Sequence, residues 1–208
     1  MRVGFIGDLH GEHKRRALEL FVCETGVDLC VSTGDFQDYR GGYSVPVVFI
    51  HGNHECWGVL DEMAEGTHRP PGLRYLPDFE ILALEAVRLI GVGGAWSPAD
   101  SDRSRHLTQR HVDALIRHQA DIVLSHDTPI AFSNLRPGRD GRPRTIAALR
   151  IACERMSPRF WFSGHHHHYD LERLGRTTIV SVGYDPARSC VSGGGARART
   201  RLSRTRSR

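Results

Sequence analysis

No stretch of this 208-residue chain approaches the roughly 20 apolar residues that a membrane-spanning helix requires. There is no CxxC pair either. The five cysteines stand at 23, 30, 56, 153 and 190, an odd number that argues against both a disulfide framework and a structural zinc knuckle. No internal repeat is visible, and Met1-Arg2 leads straight into a strand-like segment rather than a signal peptide. A soluble, cytoplasmic protein with no membrane association is the expectation, of a length that suits one domain around a single core. Acidic residues are missing from the end of the chain: residues 187–208 hold seven Arg and no Asp or Glu. Without those seven, 21 basic residues face 24 acidic ones, so the net charge of +4 belongs to the tail and the body stands at −3. Arguments from basicity to nucleic-acid binding therefore apply to the tail alone. The composition of that tail, Gly, Arg, Ser and Thr, predicts disorder beyond Ser192.

What the chain does have is a set of short apolar runs that end in metal-binding or acid–base side chains. Val3–Ile6 leads into Gly7-Asp8-Leu9-His10, Leu29–Val31 into Gly34-Asp35, and Val45–Ile50 into Gly52-Asn53-His54-Glu55. Ile122–Leu124 leads into Ser125-His126-Asp127, and Phe160–Phe162 into Gly164-His165-His166-His167. Such runs are short and continuously apolar, as strands buried on both faces tend to be. Between them lie helical spacings: Lys14–Thr25 with Gly26 as a stop, Trp57–Ala64, Thr108–Ala120, and a helix capped by Thr145 that ends before Pro158. Phe79–Leu84 with Val87–Val92, and Asp170–Leu174 with Thr177–Val182, read as antiparallel pairs. The pattern is α/β. In an open α/β sheet, ligands gather beyond the carboxyl ends of the strands, where these motifs would converge.

Carboxylate, amide oxygen and imidazole suit hard or borderline divalent ions, and soft thiolate is absent from the set. Two such ions about 3.5–4 Å apart can bind the attacking and leaving oxygens of an in-line displacement and lower the pKa of a bound water. The repeated glycines Gly7, Gly34, Gly52 and Gly164 fit sharp turns where backbone crowds the ligands.

Gly7-Asp8-Leu9-His10-Gly11, Gly34-Asp35, Gly52-Asn53-His54-Glu55, Ser125-His126 and Gly164-His165-His166-His167 resemble, in order, the five motifs of the calcineurin-like metallophosphoesterases. The resemblance covers residues 1–186 and implies a four-layer α/β/β/α sandwich, followed by the Arg-rich tail 187–208. Carried over position by position, it implies that Asp8, His10 and His167 hold a first metal, that Asp35 bridges, and that Asn53, His126 and His165 complete a second. His54 would bind no metal; it would act on the substrate, stabilising phosphoryl oxygens or protonating the leaving group. A metal-bridging hydroxide would be the nucleophile. The implied cofactors are two divalent ions, Mn²⁺ first, with Fe²⁺ or Zn²⁺ as alternatives. The implied partner is a phosphate ester, RNA or nucleotide among the candidates, with no obligatory protein partner.

Within that family the strings Gly34-Asp35-Phe36-Gln37, Tyr75-Leu76-Pro77, Gly91–Trp96, Leu124–Pro129 and Phe160–Ser163 are similar to the lariat debranching branch. That branch typically has Cys where this chain has Asp8, and its substrate-gripping insertion is shortened or absent here. Phosphodiester cleavage is thus the leading expectation. A phosphomonoesterase and a non-catalytic metal-binding scaffold are the rivals.

Several positions keep two readings. Alternation along an extended chain puts His165 and His167 on one side and His166 and His168 on the other, and a slip of register would exchange the pairs. Asp127 and Glu55 either orient the ligands or serve as solvated or capping carboxylates. Arg136, Arg139, Arg142 and Arg144 either engage phosphates or form a solvated loop. His51 is expected to pack behind the ligands, and Cys30 to pack in the core.

Overall fold

A computed structural model describes residues 1–97, 106–131, 146–183, 192–194 and 197–199. The loop arginines 136–144, the proposed cap Thr145 and most of the Arg-rich tail lie outside them. The first half of the chain runs β1 (Val3–Ile6), α1 (Arg15–Thr25), β2 (Leu29–Ser32), β3 (Val47–Phe49), α2 (Trp57–Glu65) and β4 (Leu73–Tyr75). Then follow β5 (Ile81–Leu84), β6 (Val87–Val92), α3 (Gln109–Leu115), β7 (Ile122–Ser125), α4 (Ala147–Met156), β8 (Phe160–Ser163), β9 (Asp170–Leu174) and β10 (Thr177–Ser181). Two further strands, β11 (Ser192–Gly194) and β12 (Arg197–Arg199), fall within the segment expected to be disordered.

The strands form two sheets, ordered β12-β11-β1-β2-β3-β4 and β5-β6-β7-β8-β10-β9. In the first, β1, β2, β3 and β4 are parallel; in the second, β6, β7, β8 and β10 are. Parallel neighbours bring their carboxyl ends to one edge, which is what assembles the motifs. Both expected antiparallel pairs are present as β5–β6 and β9–β10.

Three apolar cores separate four layers. Leu18, Phe21 and Leu60 from the first two helices pack on Cys30, Val47 and Phe49 of the first sheet. Phe5, Val31 and Val48 of that sheet meet Leu89, Leu124, Phe162 and Val180 of the second. Val112, Leu115, Leu149 and Ala152 of the last two helices cover Val123, Trp161 and Ile179 on its far side. The architecture is the expected α/β/β/α sandwich. Across the middle layer the rings of Phe5 and Phe162 stack with centroids 3.7 Å apart, 6° from parallel, joining β1 to β8. Because Asp8 follows β1 and His165 follows β8, this contact sets the distance between the two halves of the site.

The structure shortens one helix. Thr108 does cap α3, in a capping box with His111, but the helix stops at Leu115 rather than Ala120. Arg117 and His118 donate to Ala114 and Leu115, a tighter turn, and Asp121 already bonds Arg88 at the start of β7. α4 begins at Ala147 with Ile146 at its cap. β4 was not foreseen: three residues, with Arg74 exposed, carry too short a pattern to read. Among the described residues, no helix is long and apolar enough to cross a membrane.

Candidate metal centre

At the carboxyl edge of the sheets, loops from both halves meet. The chain turns sharply after each strand: His10, Asp35, His165 and His167 all have φ between 49° and 63°. Left-handed backbone is uncommon for side-chain-bearing residues, and strain of this kind persists only where the surroundings enforce it. The enforcing bonds are visible. His10 N–H donates to Asp35 O at 2.8 Å, Gly11 N–H to Phe36 O at 3.1 Å, and Gly164 N–H to His126 O at 3.0 Å. Glycine is required where loops touch: a Cβ at Gly52 would lie 2.0 Å from Asp35 Oδ1, and one at Gly164 would lie 2.8 Å from Asp8 Oδ1.

Asp8 and Asp35 are almost fully buried. Asp8 Oδ2 lies 3.5 Å from His167 Nε2, and His167 Nε2 lies 3.0 Å from His10 Nε2. On the other side, His126 Nε2 stands 3.0 Å from Asn53 Oδ1 and 3.5 Å from Asp35 Oδ2. That same Asp35 oxygen is 3.9 Å from His10 Nε2, so it sits between the two groups of donors. Two sets thus converge, Asp8-His10-His167 and Asp8-Asp35-His126, each with donor atoms within 4.8 Å of one another. The ring of His165 meets that of His126 edge-on with centroids 5.0 Å apart, and its backbone N–H donates to Asp8 Oδ1 at 3.2 Å. His54 lies at the rim, exposed; its backbone N–H donates to Asp35 Oδ1 at 2.8 Å, and its ring stands 6.0 Å from that of His10.

These donors fit divalent cations. Asp8 Oδ2 is buried yet accepts no hydrogen bond among the described residues, which is costly for a carboxylate oxygen unless a cation faces it. Burial pushes the Asp8 carboxyl up to about 7, with the Asp35 charge adding to the rise and His126 opposing it. Burial would also raise Asp35, but the hydrogen bond and charge of His126 and the His54 N–H hold it well below the usual carboxylate range. Burial disfavours charge on His126 too, yet its bond to Asp35 and the charges of both aspartates carry it up to about 9. Burial takes His165 down to about 4, which leaves it neutral, the form that binds metal.

Several supports surround these donors. His126 Nδ1 donates to Thr33 O at 2.9 Å, which turns Nε2 towards the centre. Gln37 bridges two functional residues: its Oε1 faces His10 Nδ1 at 3.4 Å and its Nε2 donates to His54 O. Glu55 is buried and clamps the second and third motifs together. Its Oε1 accepts Phe36 N–H at 3.0 Å and Gly52 N–H at 3.1 Å, and its Oε2 accepts the Tyr39 hydroxyl. Asp127 accepts Trp96 N–H at 2.9 Å and faces His166 Nε2 at 3.4 Å, so it supports the last motif from behind. His51 is buried, and its Nε2 faces Asp78 Oδ1 at 3.2 Å.

A two-sheet sandwich with carboxylate, amide and imidazole donors gathered at one edge defines a metal-dependent phosphoesterase type of site. The calcineurin-like phosphoesterase family model matches residues 1–169, and the chain belongs to that family. Among curated relatives it is similar to the lariat debranching enzymes of Saccharomyces cerevisiae, at 22% identity over 80% of this chain and 57% of that one, and of Homo sapiens, at 26% over 80% and 42%. The enzyme of Entamoeba histolytica is 23% identical over 91% of this chain and 70% of its own. The chain spans about half the length of most of these relatives. In fold it is similar to a protein of Thermus thermophilus, with a TM-score of 0.66 at 15% identity over 92% of each chain. It is also similar to GAP50, the anchor in the inner membrane complex of Plasmodium, with a TM-score of 0.57 at 14% identity over 88% of this chain and 71% of that one.

Proposed function

We propose that this chain is a dinuclear metal-dependent phosphodiesterase acting on RNA or a nucleotide-like diester. The observation that carries the reading is the placement of Asp35 Oδ2 between His10 and His126, with the His54 backbone fastened to the other oxygen of the same carboxylate. Asp8, His10 and His167 would hold one ion, and Asn53, His126 and His165 would complete the other with Asp35 shared. A bound pair of divalent cations, Mn²⁺ by preference, would make a water more acidic and would offset charge on the phosphoryl oxygens.

The chain's own groups do the rest. The His126 hydrogen bond to Thr33 O fixes its ring, and Gln37 fixes that of His10. His54, exposed at the rim, is free to approach a bound diester, where it stabilises the phosphoryl oxygens or protonates the departing alkoxide. A diester rather than a monoester is favoured by the similarity to lariat debranching enzymes over most of this chain. The free thiols Cys23, Cys30, Cys56 and Cys153 suit a reducing, cytoplasmic compartment. Residues 1–186 would form the catalytic domain.

The test compares bis-p-nitrophenyl phosphate with p-nitrophenyl phosphate in the presence of Mn²⁺. The diester is expected to turn over faster, and His54→Ala to lower kcat by about 10²–10⁴-fold with metal content unchanged. Faster monoester turnover would favour a phosphatase, and no hydrolysis of any ester by metal-loaded protein would leave only a scaffold.

A further inference from the structure

At the edge of the second sheet opposite the metal centre, the register lines up a basic row. Leu89 pairs with Ile122 and Ile122 with Phe160, so Arg88, Asp121 and Arg159, one residue earlier on each chain, stand side by side. Arg176, in the turn before β10, continues the row, since Thr178 pairs with Phe160. Ladder bonds fix it: Asp121 N–H donates to Arg88 O at 2.9 Å, Arg159 N–H to Asp121 O at 2.8 Å, and Thr178 N–H to Arg159 O at 3.1 Å. Ile90, Val123 and Trp161 lie two residues further along and pack under the outer helices, so alternation turns Arg88, Asp121 and Arg159 to that same side. The helices end before they cover the row. α3 stops at Leu115 and α4 at Met156, and a groove of about 770 Å³ remains, lined by the three arginines and by Gln119 and Ser157 from the chain that follows each helix.

The guanidinium groups of this groove are not spent on neighbours. Arg88, Arg159 and Arg176 are exposed, and among the described residues none of them forms an ion pair. Capping of α4 accounts for a single contact, from Arg176 Nε to Ser157 O at 3.0 Å. The carboxylate of Asp121 accepts the backbone N–H of Arg88 at 2.9 Å. Three arginines against this one aspartate leave the groove at +2, on a body whose charge is −3. With β7 between them, Arg88 and Arg159 stand about 10 Å apart at their backbones, so the positive charge is spread more widely than one phosphate group. Guanidinium forks hold phosphate oxygens in pairs, and an open groove with cations in a row suits a ligand that carries its phosphates in a chain.

We propose that this groove holds the sugar–phosphate backbone of single-stranded RNA, away from the scissile bond, so that substrate is gripped at both edges of the second sheet. The proposal rests on the reading of the metal centre as an RNA-acting phosphodiesterase. β7 and β8, four residues each, separate the two places by about 13 Å along the strands, a distance of a few nucleotides.

The test measures binding of a short fluorescein-labelled oligouridylate by anisotropy, without added divalent ions, between about 50 and 200 mM salt. Wild type is compared with Arg159→Gln, with the Arg88→Gln/Arg159→Gln pair, and with Arg16→Gln on the exposed side of α1 as a control. Each lost phosphate contact should flatten the plot of log affinity against log salt by about 0.7, hence about 0.7 for the single groove variant and about 1.4 for the pair. Arg16→Gln should leave the slope unchanged. The arginines of residues 187–208 are common to all four proteins, so the differences report the groove. An equal effect of Arg16→Gln, or no change in any variant, would overturn the groove, as would displacement of the RNA by polyglutamate at matched charge, which would assign the surface to an acidic protein. Hydrolysis of bis-p-nitrophenyl phosphate with unchanged slopes would overturn the groove alone. Flattened slopes without hydrolysis of any ester would keep the groove and overturn the hydrolytic reading.

Discussion

The two sheets contribute unequally to the metal centre. Of the candidate residues, loops of the first carry Asp8, Asp35 and Asn53 along with His10 and His54, whereas loops of the second carry the imidazoles His126, His165 and His167. Among these candidate residues the carboxylates all come from the first half, and the second contributes rings. Within the first half, Glu55 joins the Asp35 and Asn53 loops, and Gln37 joins His10 to His54. The second half is tied in by His126 on Thr33 O, the His165 N–H on Asp8, and the apolar layer between the sheets. A charged, internally braced cradle thus faces a lid of rings whose position depends on packing.

This division can be broken by substitution. The largest contrast is expected between Asp35→Ala, which should lower diester kcat/KM by about a thousandfold or more, and His165→Ala, which should cost about 10–100-fold. Equal losses would show that charge is not concentrated as described. Next comes the packing that sets the gap between the halves. Phe162→Ala removes a buried ring stacked on Phe5 and should destabilise the fold by about 3–5 kcal/mol in denaturant titration. It should also weaken metal binding at temperatures where the variant remains folded. Smaller still is the bracing: Glu55→Gln keeps the shape but weakens the bonds to Phe36 and Gly52, and should reduce metal affinity by about 10–100-fold, measured by competition with a chelating dye. A drop in activity with unchanged affinity would move Glu55 from bracing to chemistry.

The sequence made the strands and their terminal donors legible because apolar runs, glycine and ligand residues recur in a fixed order. It also put His165 and His167 on the side of the site, but through alternation in an extended chain. In the structure both residues have left-handed rather than extended backbone, so that reason does not hold. Glu55 and Asp127 keep two readings in the sequence, as orienters of the ligands or as solvated or capping carboxylates; burial removes the solvated role, and both accept backbone N–H groups. The Thr33 carbonyl left no pattern to read, and Gln37 stood only within a matching string, since a backbone oxygen and a single amide acquire a role only once distant loops meet. The same holds for Asp78, which lies 27 positions from His51 and meets it only after β4 has been added to the sheet edge.

The central claim is that one carboxylate stands between two cations, and anomalous diffraction from crystals grown with Mn²⁺ tests it most directly. Two manganese peaks flanking Asp35, one beside His10 and His167 and the other beside Asn53 and His126, are the expected result. A single peak, or none within bonding distance of Asp35, would contradict it.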